Sequence, residues 1–215
     1  MGELSTGPEL STVPDPVLAT TGSPADPRLM DVIKTSDLKA AGMPRYKIDL
    51  RCRPGGPWQR VMPGVLLLGA APPTRADRVR AALAYAGPEA VLTGVDALHA
   101  QGFPELPLPP RVHVLQPAGR RRSGDHHVLL ERTTRLPRPV VEDGLPLAPP
   151  VRAVLDAARA EPHPARTHAL LVAVLRSGVC TTRALLAELD AGSTRGTAAP
   201  RAVLHALSRP STPTR

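Results

Sequence analysis

Residues 42–69 read GMPRYKIDLRCRPGGPWQRVMPGVLLLG, and the proline and glycine punctuation of this stretch decides the fold of the N-terminal half. Pro44 suits the first turn of a helix, where a missing N–H costs nothing. That helix runs through Arg45-Tyr46-Lys47-Ile48-Asp49-Leu50-Arg51-Cys52, and Pro54-Gly55-Gly56-Pro57 stops it. Two short apolar runs follow at 58–62 and 65–68, split by Pro63-Gly64, which predicts a hairpin. Upstream, residues 36–42 (SDLKAAG) read as a short helix that Thr35 or Ser36 can cap and Gly42 can close. Helix, tight turn, helix and hairpin is the order of a winged helix-turn-helix. Ile48 and Leu50 are expected to face inwards, with Trp58 covering the foot of the helix pair.

In a helix-turn-helix the second helix enters the major groove and its early residues reach base edges. Arg45, Tyr46, Lys47 and Arg51 supply that surface here. Arg53 and Arg60 flank the hairpin and are placed to touch backbone phosphates. A solvated basic helix without a groove partner has the same sequence. The chain of 215 residues carries a net charge of +8, which favours polyanion partners. High-GC coding gives the same Arg-, Ala- and Pro-rich usage, so the positions of the charges count for more than their total. Basic residues cluster at 45–60, 111–138 and 195–215, whereas residues 1–27 hold four acids and no Lys or Arg.

Residues 1–27, rich in Ser, Thr, Pro and Gly without a period, are expected to be a disordered leader. Residues 28–70 form the winged-helix unit. Residues 74–208 form a second, mixed α/β region with a helical end, and 209–215 a frayed tail. In that second region, Thr74 caps a helix over 74–86 with Val79, Ala82, Leu83 and Ala86 on one face. Arg75, Arg78 and Arg80 are expected towards solvent. Short strands are predicted at 90–93, 111–116 and 128–132, with a short helix at 95–101. Residues 146–150 read as a stiff connection. Helices are predicted at about 151–160, 165–177, 181–190 and 199–208, with Asp156 on an exposed side. The fold class is therefore α+β. The last four helices are either a small core packed on the strands or a docking surface.

The turn carrying Arg120, Arg121 and Arg122 can hold phosphate or an acidic partner, or it can be a solvated loop. His126-His127 does not suggest a metal site, since adjacent strand residues point to opposite faces and no Cys or carboxylate cluster joins them. Cys52 and Cys180 are too sparse for a disulfide framework or a zinc site. No apolar run approaches the roughly 18 residues of a membrane span, and the N-terminus lacks the features of a signal peptide. The expected location is the cytoplasm. No Gly-Lys phosphate loop, G-x-G-x-x-G, H-E-x-x-H or G-x-S-x-G is present, so neither an enzyme nor a cofactor is expected. Asp96 and His99 lie at i and i+3 and read as a surface pair. Cys52, among Arg45, Arg51 and Arg53, reads as structural.

Several phrases in order resemble the AbiEi-type antitoxins of type IV toxin–antitoxin systems. The run 42–69 is similar to their helix-turn-helix and to a phrase of the form W-Q-R-x-x-P-G-V-Y, with Leu66 in place of the aromatic. LAYAGPEAVLTG (83–94), RVHVLQPAGRR (111–121), EDGLPLAPPVRAVLDAA (142–158) and SGVCTTRALLAEL (177–189) resemble later segments. Relatives often show Ser-His after the A-V-L strand, where this chain has Thr93-Gly94. Actinobacterial relatives often continue into a nuclease-like domain, which this chain is expected to lack. The resemblance implies a transcriptional regulator that binds its own promoter or operator duplex. It also implies a nucleotidyltransferase-type toxin as a possible partner, and repeated half-sites would require a homodimer. The alternative is a protein-interaction module, either neutralising such a toxin or without DNA binding.

Overall fold

The computed structural model describes residues 32–209. The expected leader and tail fall largely outside these residues. The chain begins with strand β1 (Val32–Lys34) and the short helix α1 (Thr35–Ala40). Helix α2 (Arg45–Arg51) follows, with Pro44 at its N-cap, and then the hairpin β2 (Gln59–Met62) and β3 (Val65–Leu67). These strands form an antiparallel sheet in the order β1-β3-β2. Neither Thr35 nor Ser36 caps α1, whose N-cap is Lys34. Gly42 does close it, with φ at +85°, a conformation that costs glycine nothing.

One face of the small sheet packs on α1 and α2 through Leu38, Ile48 and Leu66, with Ile33, Met43, Cys52 and Trp58 around them. Ile48 faces inwards as expected. Leu50 does not: it is 50% exposed. At 100° per residue, Ile48 and Cys52 share one side of α2, and Tyr46 and Leu50 share the opposite one.

Helix α3 (Arg75–Ala86) lies between the two sheets of the protein. It touches all three strands of the first sheet and β5 (Val112–Pro117) of the second. Ala81, Ala82 and Ala86 are buried there, and their small side chains allow close approach on both sides. Thr74 caps α3 as predicted, in a reciprocal box with Asp77. Met62 and Val65 of the first sheet belong to the same core as α3 and the second sheet. Apolar packing is therefore continuous across the boundary expected near residue 70.

The second sheet has five strands. Besides β5 it contains β4 (Val91–Leu92), β6 (Val128–Thr133), β7 (Val140–Glu142) and β8 (Leu145–Leu147), in the order β6-β5-β4-β8-β7. β5 and β6 pair in parallel, so the basic turn-rich link between them runs back along the sheet. Part of the predicted stiff connection is strand: β7 and β8 form a hairpin over Asp143-Gly144, both at positive φ (48° and 73°). That is the backbone a two-residue turn demands of Asp-Gly.

Helices α4 (Gly94–Ala100), α5 (Pro150–Ala160), α6 (Pro164–Arg176), α7 (Thr182–Ala191) and α8 (Ala198–Ser208) complete the fold. Pro150 and Pro164 open α5 and α6, and the Thr181 hydroxyl caps α7. Helix α5 touches α4, α6, α7 and α8, so Arg152 through Ala158 are all buried. The protein is α+β. No helix among the described residues is long and apolar enough to cross a membrane.

Candidate functional site

Arg45 of α2 and Arg60 of the hairpin meet at one carboxylate, whereas Lys47 lies about 160° away from Arg45 around the helix axis. Arg45 is 81% exposed and lies 3.6 Å from Asp49, one turn along the helix. Arg60, on β2, donates to the same carboxylate from the other side. Asp49 thus ties α2 to the hairpin and sits between two of the candidate DNA contacts. Tyr46 and Lys47 are exposed on the same helix, and Arg53 is exposed just beyond it. Arg51 is half-buried, its guanidinium 4.8 Å from the centre of the Trp58 ring. That cation–π contact holds Arg51 against the sheet rather than out in a groove.

Arg120, Arg121 and Arg122 are supported by different elements. Arg120 reaches Glu89 at 3.4 Å, beyond the C-terminal end of α3. Arg122 stacks over Tyr85 at 4.9 Å, and the Tyr85 hydroxyl donates to the Ser123 carbonyl. Arg121 is exposed. The rings of His126 and His127 lie 4.0 Å apart, and no cluster of three metal-ligating side chains occurs among the described residues.

A second constellation, which the sequence reading does not anticipate, lies in the helical half. Asp156 is buried at 1% exposure, not on an exposed side as its sequence context predicts. Its carboxylate accepts from the Thr93 hydroxyl at 2.8 Å and from Arg152 Nε at 2.9 and 3.0 Å. Arg159 approaches it at 3.5 Å and reaches Glu131 at the same distance. His113 meets Glu131 at 3.1 Å. Arg135 grips Glu188 with both terminal nitrogens, and Arg152 stands 3.6 Å from the same carboxylate. Thr93-Gly94 serves this network. The Thr93 hydroxyl binds Asp156, and Gly94, at φ +68°, leaves His113 room that a Cβ would invade at 3.3 Å. The His113 bond holds the Glu131 carboxyl below its ordinary value, against burial, with Arg159 and Arg152 also lowering it. Burial pushes Asp156 above its ordinary value, against the pull of Arg152. Both directions follow from solvation and pairing.

Two further expectations are corrected in the same region. Arg75 does not point to solvent: it forms a two-point ion pair with buried Asp96 at 2.7 Å, and Arg80 is half-buried. Asp96 and His99 are therefore not a surface pair. His99 instead meets the Leu106 carbonyl. The signal for the buried network lies in the spacing Arg152, Asp156, Arg159, an i, i+4 and i+3 set that a helix brings together.

No family model matches this chain, and no curated protein matches it. Among solved structures, it is similar to the RV2827C protein from Mycobacterium tuberculosis. The TM-score is 0.56 at 18% identity, over 84% of this chain and 73% of that one. The likeness is one of fold.

Proposed function

We propose that this protein is a non-enzymatic, DNA-binding transcriptional regulator of AbiEi-antitoxin type that represses its own promoter. The observation that carries the reading is the element order β1-α1-α2-β2-β3 with the sheet order β1-β3-β2. A winged helix-turn-helix has that arrangement of two helices, returning strand and hairpin. In this reading α2 enters the major groove and β2–β3 is the wing. Arg45 and Lys47 are exposed on α2, and Arg60 lies on the wing. Arginine can grip guanine O6 and N7, a carboxylate such as Asp49 can accept from cytosine N4, and apolar groups such as Leu50 can meet thymine methyls. Arg53 supplies a backbone contact. Arg120, Arg121 and Arg122, on another support, add phosphate contacts only if the duplex extends past α3.

The reading is tested by competition between the protein's own upstream region and a scrambled duplex of equal length. Protection of one segment of the promoter by bound protein supports it. Uniform, weak coverage of both duplexes removes it.

A second reading rests on Tyr46 and Leu50, which are 65% and 50% exposed on the side of α2 opposite Ile48. An apolar pair there also suits a protein partner, either a nucleotidyltransferase-type toxin or a second copy of the chain. Loss of toxin neutralisation in Tyr46→Ala/Leu50→Ala, with promoter binding retained, favours that reading.

A further inference from the structure

We propose that the groove between β6 and the α5–α7 pair binds a small ligand carrying clustered phosphates, of the size of a nucleoside polyphosphate. The groove encloses about 910 Å³, within the range of small-molecule sites. Edge strand β6 forms one wall; α5, α7 and the Gly192–Gly196 turn form the other. Arg132, Arg135, Arg152, Arg159 and Arg195 line it, against the carboxylates Glu131, Asp156 and Glu188.

The hydrogen bonds leave donors in surplus. Each carboxylate is already engaged by two partners or more: Asp156 by Thr93, Arg152 and Arg159, Glu188 by Arg135 and Arg152, and Glu131 by His113 and Arg159. A guanidinium carries five N–H donors in a fixed fork. Arg132 and Arg195 make no ion pair with any described residue. Arg159 makes one bond near ordinary length, to the Arg195 carbonyl at 3.0 Å, and reaches its two carboxylates only at 3.5 Å. Arg152 Nη1 meets the Arg135 carbonyl at 3.3 Å, and its Nη2 makes no hydrogen bond among the described residues. The buried carboxylates hold Arg152 and Arg159 in place, and the unused donors of the five arginines border one cavity. The guanidinium donors outnumber the carboxylate oxygens that line the cavity, and arginine forks match phosphate geometry. Leu129, Leu130, Leu155 and Leu189 give the same groove an apolar portion that an uncharged part of the ligand can cover.

This inference is independent of the DNA reading, because α2 packs on the other sheet. The test is calorimetric titration of the full chain with sodium tripolyphosphate, ATP and, as control, adenosine, at matched ionic strength. Saturable one-site binding of tripolyphosphate and ATP, without binding of adenosine, is expected. Arg132→Gln/Arg195→Gln should weaken it by roughly tenfold or more while leaving the melting temperature unchanged. Arg166→Gln/Arg176→Gln, exposed on α6 and outside the groove, should bind as the parent does. Absence of saturable heat, adenosine binding as well as ATP, or equal weakening in the two double variants would overturn the proposal. So would displacement of tripolyphosphate by duplex DNA in Arg45→Glu/Lys47→Glu, which assigns the groove to a nucleic-acid backbone.

Discussion

Arg60 on the hairpin donates to Asp49 on α2, and Arg45 closes on the same carboxylate at 3.6 Å. One acid therefore restrains two of the cations on the surface read as DNA-binding. Asp49→Ala frees both. Its expected effect is tighter, less sequence-selective binding to any duplex. Each freed arginine that meets a phosphate steepens the dependence of log K on log salt by about 0.9, so a slope steeper by one to two such steps is expected. Anisotropy titrations across a salt series read it. An unchanged slope means that these arginines meet no phosphate.

Asp156 is the acceptor on which two buried or nearly buried arginines depend. Removing one partner of a buried pair strands the other, at a cost of about 3–5 kcal/mol. Asp156→Ala should lose stability on that scale in urea unfolding. Arg152→Met/Asp156→Leu, which removes both charges, should recover a substantial part. A loss below about 1 kcal/mol in Asp156→Ala would place the pair among weak surface contacts.

Acidification separates Glu131 from Asp156. The folded pKa of Glu131 is lowered from 4.5, so its contribution is present above that value and is lost as pH falls through the folded one. The folded pKa of Asp156 is raised above 3.8, so its ionisation costs stability above that value and acid relieves the cost. Glu131→Gln removes the first effect and keeps the larger part of the second, which comes from burial. Between neutral pH and about pH 3 its stability should fall less steeply than that of the parent. Parallel pH profiles for the two proteins would remove Glu131 from the linkage.

The order α1, α2, β2 and β3 was legible because Gly42, Pro44 and Pro63-Gly64 mark the boundaries, and few backbones satisfy that punctuation; β1, three residues long, carries no such mark. Leu50 was misread because α2 has only seven residues and one fully buried position, Ile48, too few to define a face. The hairpin β7–β8 was hidden by Pro146, which reads as a breaker. It faces Val141, one pair beyond a two-residue turn. That is a non-hydrogen-bonded position of the ladder, where a missing N–H costs nothing toward β7. Asp156 was hidden because helical periodicity assumes one solvent face, and α5 is enclosed by four other helices. Two of its partners, Arg152 and Arg159, lie on its own helix, but Thr93 between β4 and α4, and the His113–Glu131 pair that Arg159 also reaches, come from sequence distances that no spacing rule spans.

Trp58 is the sole tryptophan of the chain and packs on the small core of α1, α2 and β3. Because Met62 and Val65 share the main core with α3, the small sheet should unfold with the rest. The Trp58 fluorescence transition in urea should coincide with that seen by far-ultraviolet circular dichroism. An earlier fluorescence transition would mean that residues up to about 70 open separately.

Whether α2 reads DNA is measured by comparing promoter and scrambled duplexes across a salt series. The parent chain runs beside Arg45→Glu/Lys47→Glu. Phosphate contacts weaken with salt on both duplexes, whereas base reading persists as a ratio of affinities, on the order of 10³ or more for a specific regulator. This ratio should hold as salt rises, and the double variant should lose it. Equal binding of both duplexes by the parent, or no binding of either at moderate salt, would contradict DNA reading by α2.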